Sequence, residues 1–335
     1  MNGSADISSL VEGIRRRDRL AVARGLSLVE SSVHEDRYLA ADLIDRLLPL
    51  RPTSRRIGIT GSPGVGKSTF IEAYGMGLVT RGSNVAVLAV DPSSRRTGGS
   101  ILGDKVRMPQ LSLQGSAFVR PSPSRTALGG GTSTMRESII VCEAAGYDHV
   151  IVETVGVGQS ETEVADMVDM FMVLVLPTAG DELQGIKRGI MEVADVVVVN
   201  KADIDEHATL RAIATYRSAL RLMLPAEEDW TSEVVAVSSL HQSGIDGILA
   251  VEEQFFDPQR TTSRERRRRR QRKSWFEAVL RSTALDWVTH DRAIASAVQD
   301  LRMAVLEETT TPTRGLMAIF DQTTISRTTS EGPRP

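Results

Sequence analysis

The chain has 335 residues, of which 41% are hydrophobic, so it is long enough for one large α/β domain with helical additions. Its 40 basic and 43 acidic residues leave a net charge of −3, which argues against a chain-wide nucleic-acid-binding surface. A single cysteine, Cys142, excludes a disulfide within the chain and indicates a reducing compartment. Residues 1 to 10 lack the segments of a signal peptide, and no apolar run is long enough to span a bilayer, so we expect a cytoplasmic location.

Residues 1 to 50 are predicted to form an N-terminal helical region. Apolar side chains recur there at roughly helical spacing, first in residues 10 to 28 and again in residues 40 to 47. The section ends at Arg51-Pro52.

Residues 51 to 255 show the pattern of a buried sheet. Short β-branched apolar runs, nearly continuous as in strands covered on both faces, alternate with helical stretches. These runs are Ile57–Thr60, Val85–Val90, Val150–Val152, Phe171–Leu176, Val196–Val199 and Val234–Val237. Alternation with helices implies βαβ units, so the predicted fold class is α/β with a mostly parallel sheet and helical extensions at both ends.

The first of these strands is followed directly by a phosphate-binding loop. Residues 61 to 68 read GSPGVGKS and fit the pattern GxxxxGK[ST]. The glycines let backbone N–H groups turn towards phosphates, Lys67 should reach the β- and γ-phosphates, and the Ser68 hydroxyl should bind Mg²⁺. A chance glycine-rich turn is the alternative, and the flanking strand and helix argue against it. The predicted nucleotide contacts are Gly61, Ser62, Pro63, Gly64, Val65, Gly66, Lys67, Ser68 and Thr69.

A second motif indicates which base is bound. Residues 200 to 203 read NKAD after a predicted strand and fit the guanine-reading pattern NKxD. The Asp203 carboxylate can accept hydrogen bonds from guanine N1 and N2, a donor pair that adenine lacks, and the Lys201 stem can cover the base. An ordinary turn of this composition is the alternative. The predicted base contacts are Asn200, Lys201, Asp203, Ser238, Ser239 and Leu240, and together with the phosphate loop they predict GTP and GDP as ligands.

Three acidic residues are candidate Mg²⁺ ligands beside Ser68. Asp91 and Glu153 each follow a predicted strand, and ligands bind at the carboxyl ends of the strands in open α/β sheets. Asp104 lies in a glycine-rich loop that could act as a switch. A solvated loop residue or a helix cap is the alternative for each of them.

Residues 153 to 156, ETVG, look like the second phosphate-sensing element of a GTPase, with Glu153 in place of the usual Asp. A Ras-like GTPase has a water-orienting Gln directly after that glycine. Val157 holds this position here, and Gln159 comes two residues later. The sequence therefore predicts slow intrinsic hydrolysis, which a partner or a mobile loop completes.

The pattern changes near residue 256. Residues 256 to 322 are predicted to form a helical dimerisation region, and residues 323 to 335, rich in Ser, Thr, Gly and Pro, are predicted to be disordered. The basic run Arg264 to Lys273 could bind RNA or an anionic membrane, or could pair with acidic surfaces of a dimer mate or another protein. Because the run has no interleaved aromatic residue, we favour protein partners and expect neither DNA nor a membrane.

Four further segments go beyond a generic GTPase: they read VDPSS at 90–94, TGGSILGDK at 97–105, ETVGVGQSE at 153–161 and GDELQGIK at 180–187. Together they resemble the MeaB/ArgK/MMAA family of G3E GTPases. The resemblance covers about residues 10 to 320. The chain departs from the family at 124–132, which reads SRTALGGGT where the family more often reads SRGxLGGVA, so the contacts of that loop are not carried over.

The resemblance implies a GTP-hydrolysing chaperone of an adenosylcobalamin-dependent acyl-CoA mutase, usually methylmalonyl-CoA mutase. Such a chaperone gates cofactor loading and protects the mutase, and it forms a homodimer largely through its C-terminal helices. The resemblance also implies a third switch loop at 180–187, whose Lys187 enters the nucleotide site when the mutase binds. Lys187, with Asp181 and Glu153 coupled to that movement, is therefore a candidate catalytic residue.

Two other classes of function fit the sequence less well. A G3E-type metallochaperone for a nickel enzyme would need His-rich tracts or a CxC site, and five scattered histidines and one cysteine provide neither. A free-standing signalling or RNA-associated GTPase has only the basic run in its favour.

Overall fold

A computed structural model of the chain describes residues 3–31, 33–91, 108–123, 130–154, 160–177, 188–223, 227, 229–290 and 292–317. Contacts divide the chain into two compact units, Met1–Ser274 and Trp275–Pro335. This division falls inside one long helix, after Ser274. The predicted disordered tail, 323–335, lies outside the described residues.

The first unit is built on a seven-stranded sheet in which all neighbouring strands are parallel. The strands are β1 Arg55–Gly61, β2 Val85–Asp91, β3 Ala117–Pro123, β4 His149–Glu153, β5 Met170–Val175, β6 Val196–Val199 and β7 Glu233–Ala236. Their order across the sheet is β3-β2-β4-β1-β5-β6-β7. Every residue of β4, β5 and β6 is buried, as expected of strands covered on both faces. The predicted α/β class with a mostly parallel sheet is confirmed.

The sequence pattern does not predict β3. Its residues include Arg120, Pro121 and Pro123, which interrupt the apolar run that marks the other strands. Proline lacks a backbone N–H and is accepted in a sheet mainly on an edge strand. Because β3 pairs with β2 alone among the described strands and forms one edge of their sheet, its prolines are compatible with the ladder.

Helices cover the sheet and extend the chain at both ends. In the described part of the chain they are α1 Gly3–Arg15, α2 Arg19–Val29, α3 His34–Leu47, α4 Lys67–Thr80, α5 Pro109–Ser112, α6 Gly130–Ala144, α7 Ser160–Ala165, α8 Arg188–Glu192, α9 Glu206–Arg221, α10 Ile245–Phe255, α11 Thr261–His290 and α12 Arg292–Leu306, with 3₁₀ turns at Leu48–Leu50 and Pro258–Arg260. Among the described residues, no helix combines the length and apolar character that crossing a membrane requires.

The N-terminal helices pack as part of the first unit. Ile14, Leu26 and Leu43, one from each of α1, α2 and α3, are fully buried. Arg120 of β3 donates a hydrogen bond to Glu30, the C-cap of α2, at 2.5 Å. This ion pair joins the N-terminal helices to the β3 edge of the sheet.

The first part of α11 is bound to the amino edge of the sheet by buried ion pairs. Arg268 donates to both carboxylate oxygens of Asp169, at 2.7 and 2.6 Å. Arg267 donates to the two oxygens of Asp195, at 2.7 and 2.8 Å, and to Glu227 at 3.0 Å. Asp169 and Asp195 are fully buried and directly precede β5 and β6. The basic run therefore finds part of its acidic partners within its own chain.

These ion pairs fix the charge of the buried carboxylates. Burial by itself would raise the pKa of Asp169, but the hydrogen bonds and the charge of Arg268, helped by Arg56, outweigh it and hold that pKa below its ordinary value. Asp169 is therefore ionised at neutral pH. Removing one partner of such a pair leaves the other as an uncompensated buried charge.

Candidate functional site

The predicted phosphate loop joins the end of β1 to the start of α4. Gly64 and Gly66 have φ of 82° and 94°, a left-handed conformation that glycine adopts without a Cβ penalty. At Gly66 space is limiting as well, because a Cβ there would lie 2.8 Å from the Asn200 amide nitrogen. The loop therefore needs glycine at position 66 for two independent reasons.

Lys67, the first residue of α4, holds its ammonium group against the loop. Its Nζ donates to the carbonyl oxygen of Gly61 at 2.7 Å and to that of Ser62 at 3.3 Å. The N-terminus of α4 adds the partial positive charge of a helix start. A lysine and a helix N-terminus that meet in one loop form an arrangement suited to a phosphate chain.

Ser68 and Glu153 meet beside this loop. The Ser68 hydroxyl donates to Glu153 Oε1 at 3.3 Å. Glu153 is the last residue of β4, which lies between β2 and β1, so the strand order brings its carboxylate to the phosphate loop. At the same end of the sheet, the Thr154 hydroxyl donates to Thr60 Oγ1 at 2.7 Å. The sequence pattern does not predict this buried threonine pair, because single threonines carry no distinctive spacing.

The donor chemistry of Ser68 and Glu153 fits Mg²⁺. A hydroxyl and a carboxylate are oxygen ligands, and Mg²⁺ in nucleotide sites typically takes one or two protein ligands together with phosphates and waters. The described residues contain no group of three or more His, Cys, Asp or Glu side chains placed to hold a metal. Asp91 ends β2, and its side chain lies outside the description, as does all of Asp104.

Asn200 connects the phosphate loop to the predicted base-binding loops. Its side-chain nitrogen donates to the Val65 carbonyl at 2.9 Å, and its side-chain oxygen accepts from the Ser239 hydroxyl at 2.7 Å. Lys201 donates from Nζ to the Gly64 carbonyl at 2.9 Å. Asn200 is 1% exposed. Its contacts hold the phosphate loop, the 200–203 loop and the 238–239 loop in one buried polar cluster.

Asp203 lies next to this cluster with its carboxylate ionised. A hydrogen bond from the Ser238 side chain lowers its pKa, and the nearby charges of His241 and Lys201 act in the same direction. His241 Nε2 is 3.8 Å from Asp203 Oδ2, a contact that the motif pattern does not predict. The Asp203 side chain is 28% exposed, and the Leu240 side chain is largely exposed. An ionised, accessible carboxylate is an acceptor for paired N–H donors such as those of guanine.

The structure thus brings together the three segments predicted to contact the nucleotide, which are residues 61 to 69, 200 to 203 and 238 to 240. Two of the candidate catalytic residues, Asp181 and Lys187, lie outside the described residues. Val157 and Gln159 also lie outside them. Glu153 is described, and its position beside Ser68 is compatible with both roles predicted for it.

Comparison with known proteins places the chain in a family. The family model described as methylmalonyl-CoA mutase-associated GTPase MeaB matches residues 22 to 293. A putative GTPase of Caulobacter vibrioides is 50% identical over 90% of this chain and 93% of its own length. GTPase ArgK of Escherichia coli is 50% identical over 74% of this chain and 75% of its own length.

Two further relatives extend the comparison. The mitochondrial methylmalonic aciduria type A homolog of Mus musculus is 41% identical over 92% of this chain and 77% of its own length. A crystal structure described as a LAO/AO transport system kinase superposes with a TM-score of 0.74 at 36% identity, over 96% of this chain and 98% of that one. The chain therefore belongs to the MeaB family of P-loop GTPases and is a GTP-hydrolysing enzyme.

Proposed function

We propose that this GTPase is a chaperone of an adenosylcobalamin-dependent acyl-CoA mutase, most simply methylmalonyl-CoA mutase. In this role it gates loading of the cofactor into the mutase and protects the loaded enzyme. The observation that carries the proposal is the match over residues 22 to 293 to a family described as methylmalonyl-CoA mutase-associated. A relative named for methylmalonic aciduria, 41% identical over 92% of this chain, supports it. No feature of the described residues favours the nickel-enzyme alternative.

In this proposal the carboxyl edge of the sheet binds GTP. The phosphate loop and Lys67 hold the phosphates, as the lysine's contacts with the Gly61 and Ser62 carbonyls allow. Asp203 accepts the two guanine N–H groups, and the Lys201 stem covers the base. Asn200 keeps the phosphate loop and the base loops at a fixed separation through its bonds to Val65 and Ser239.

Mg²⁺ is the implied metal of this site. Ser68 would hold it, with Glu153, Asp91 and Asp104 as the proposed acidic ligands or water-mediated partners. The bound ion supplies positive charge that offsets the charge of the β- and γ-phosphates. The Ser68–Glu153 contact at 3.3 Å shows that two of these residues already lie together.

Hydrolysis is proposed to depend on the partner. Val157 occupies the position at which a Ras-like enzyme has its water-orienting Gln, so the chain has no such residue directly after the glycine of this element. Lys187, delivered from the 180–187 loop when the mutase binds, would neutralise the charge that develops on the γ-phosphate. Asp181 and Glu153 would be coupled to that movement.

Single-turnover GTP hydrolysis with and without the mutase tests both parts of the proposal. We expect slow basal hydrolysis that the mutase accelerates, because a delivered cation at the γ-phosphate increases such rates by about 10³- to 10⁵-fold in related systems. Lys187→Ala should keep GTP affinity and the basal rate and lose the acceleration. A mutase that neither binds nor accelerates the wild type would contradict the chaperone role. Equal acceleration of wild type and variant would contradict only the role of Lys187.

We also propose that the second unit mediates homodimerisation. Large apolar side chains are exposed there, including Phe276, Leu280 and Leu306. An exposed apolar surface of this kind is typically buried in a protein interface, and a second copy of the chain is the simplest partner. Light scattering of Phe276→Glu/Leu280→Glu should report a monomer where the wild type reports a dimer, and a variant that stays dimeric would contradict this assignment.

A further inference from the structure

The first part of α11 carries both inward-facing and solvent-exposed arginines. Arg267 and Arg268 point towards the sheet, with side chains only 11% and 17% exposed. Arg266, Arg269 and Arg272 are exposed. Because an α-helix has about 3.6 residues per turn, residues three apart lie on neighbouring turns of one side. We call Arg266, Arg269 and Arg272 the outer arginine face.

The fold does not account for the outer arginine face. In the described part of the chain, no carboxylate forms an ion pair with any of its three members. Neighbouring Arg270 contacts Glu227, which it shares with Arg267. Like charges on adjacent helical turns repel one another by a few tenths of a kcal/mol, and Glu265, the one carboxylate of the run, forms no ion pair with any of the three arginines. Since packing would accept almost any residue at these exposed positions, a binding role explains the charge better than a structural one.

We infer that the outer arginine face is a docking surface for a carboxylate-rich helix of a partner protein. This inference rests on the proposed function, under which the partner is the acyl-CoA mutase. A guanidinium binds a carboxylate through two parallel hydrogen bonds, which makes arginine better suited to this task than lysine. Carboxylates three or four residues apart on a partner helix advance by about 4.5 to 6 Å, which matches the axial spacing of the arginines.

A protein partner fits these observations better than a nucleic acid. Surfaces that bind single-stranded nucleic acid combine basic side chains with aromatic rings on which bases stack. Residues 264 to 273 contain no aromatic residue, and the chain as a whole has a net charge of −3. The inner arginines of the same run are paired with Asp169, Asp195 and Glu227, so only part of the run is available to a partner.

A charge reversal confined to this face tests the inference. The variant Arg266→Glu/Arg269→Glu/Arg272→Glu is compared with Arg16→Glu/Arg24→Glu/Arg211→Glu, which makes the same change in net charge at exposed arginines elsewhere. A third variant with lysine at the three outer positions keeps the charge and removes the paired hydrogen bonds. Affinity for the immobilised mutase is measured by interferometry on the full-length proteins, with circular dichroism and basal GTP hydrolysis as checks of folding.

We expect the outer-face reversal to weaken binding by about 100-fold and the lysine variant by about tenfold. The control reversal should remain within about threefold of the wild type, because distant exposed charges are screened by salt. Equal mutase affinity of the outer-face and control reversals would overturn the inference. So would unchanged mutase binding accompanied by loss of binding to a poly-U RNA or to phosphatidylserine vesicles. A wild type that does not bind the mutase would instead contradict the proposed function on which the inference rests.

Discussion

The carboxyl edge and the amino edge of the sheet both gather charged side chains, but they hold them differently. At the carboxyl edge, Lys67 and Lys201 donate to backbone carbonyls of the phosphate loop. At the amino edge, Arg267 and Arg268 are paired with buried carboxylates. Charges that are bonded to loop backbone can exchange those bonds for a ligand, whereas charges locked in buried pairs serve the fold. The two edges are the two ends of strands such as β1, whose seven residues span about 20 Å.

The largest predicted effect is a loss of stability at the amino edge. Arg268→Ala should lower the free energy of unfolding by about 3 to 5 kcal/mol, because it leaves the Asp169 carboxylate buried without its partner. Arg269→Ala is the matched control, since Arg269 is the next residue and is exposed. The control should change stability by less than about 0.5 kcal/mol. Urea denaturation measures both, and equal losses in the two variants would contradict the assignment of Arg268.

At the carboxyl edge, Lys67→Ala should abolish function without unfolding the protein. We expect turnover to fall by at least about 10²-fold and GTP binding to weaken, because the ammonium group offsets phosphate charge. The urea midpoint should stay close to that of the wild type. Steady-state GTP hydrolysis and a denaturation curve on the same preparation check the two halves of this statement. Undiminished hydrolysis would mean that the phosphate site has been placed wrongly.

Asp203→Asn should weaken GTP binding by roughly 30- to 1,000-fold and reduce the preference for GTP over ATP. The loss arises because two charge-assisted hydrogen bonds to guanine are removed. Asp205→Asn is the control, because Asp205 caps α9 through a bond to the Ala208 N–H, and asparagine caps a helix as well as aspartate does. Calorimetry that finds equal GTP and ATP affinities in the wild type would contradict guanine recognition.

The smallest predicted effect is a pH dependence at the amino edge. Asp169, Glu143 and Glu252 are buried, which alone would raise each pKa, yet paired partners hold all three pKa values below their ordinary range. A carboxyl group whose pKa is lowered by folding stabilises the fold at pH values above its unfolded-state pKa of about 4. That contribution is lost as the pH falls through the lower pKa of the folded state. Unfolding free energy should therefore be steady near neutral pH and fall in acid.

In Arg268→Ala, Asp169 loses the arginine whose hydrogen bonds and charge outweigh the effect of burial on its pKa. Its carboxyl group should then be easier to protonate, and protonation removes the unpaired buried charge. The stability deficit of this variant relative to the wild type should shrink as the pH is lowered. Urea curves at neutral and acidic pH measure the deficit, and a deficit that is constant with pH would contradict this account.

The two edges also differ in how far sequence reasoning reaches. The carboxyl edge could be predicted well, because residues 61 to 68 and 200 to 203 are local motifs whose residue types are fixed by backbone geometry and ligand chemistry. The amino edge could not be predicted, because Arg268 and Asp169 are 99 residues apart and no local spacing indicates that they pair. The sequence predicts that the basic run pairs with acidic surfaces of a dimer mate or another protein, whereas its inner members Arg267 and Arg268 pair within the chain.

Strand β3 is a second feature that the sequence pattern does not predict. Its apolar signal is broken by Arg120 and two prolines, and only its place at the edge of the sheet makes those residues acceptable. The phosphate-loop motif predicts the role of Ser68, and the position of Glu153 at a strand end predicts that it lies near the same site. The contact of His241 with Asp203 depends on the path of one loop, which no sequence motif predicts.

The measurement that tests this division most directly is calorimetric titration of GTP into wild type, Arg268→Lys and Asp203→Asn, with an unfolding curve for each. The lysine variant keeps a positive charge beside Asp169 and should remain folded, although without the paired hydrogen bonds. We expect it to be less stable than the wild type and to bind GTP within about twofold of it, because distant sites act independently. Asp203→Asn should show the reverse, with unchanged stability and much weaker binding. A folded Arg268→Lys protein that loses GTP affinity as strongly as Asp203→Asn would contradict the separation of the two edges.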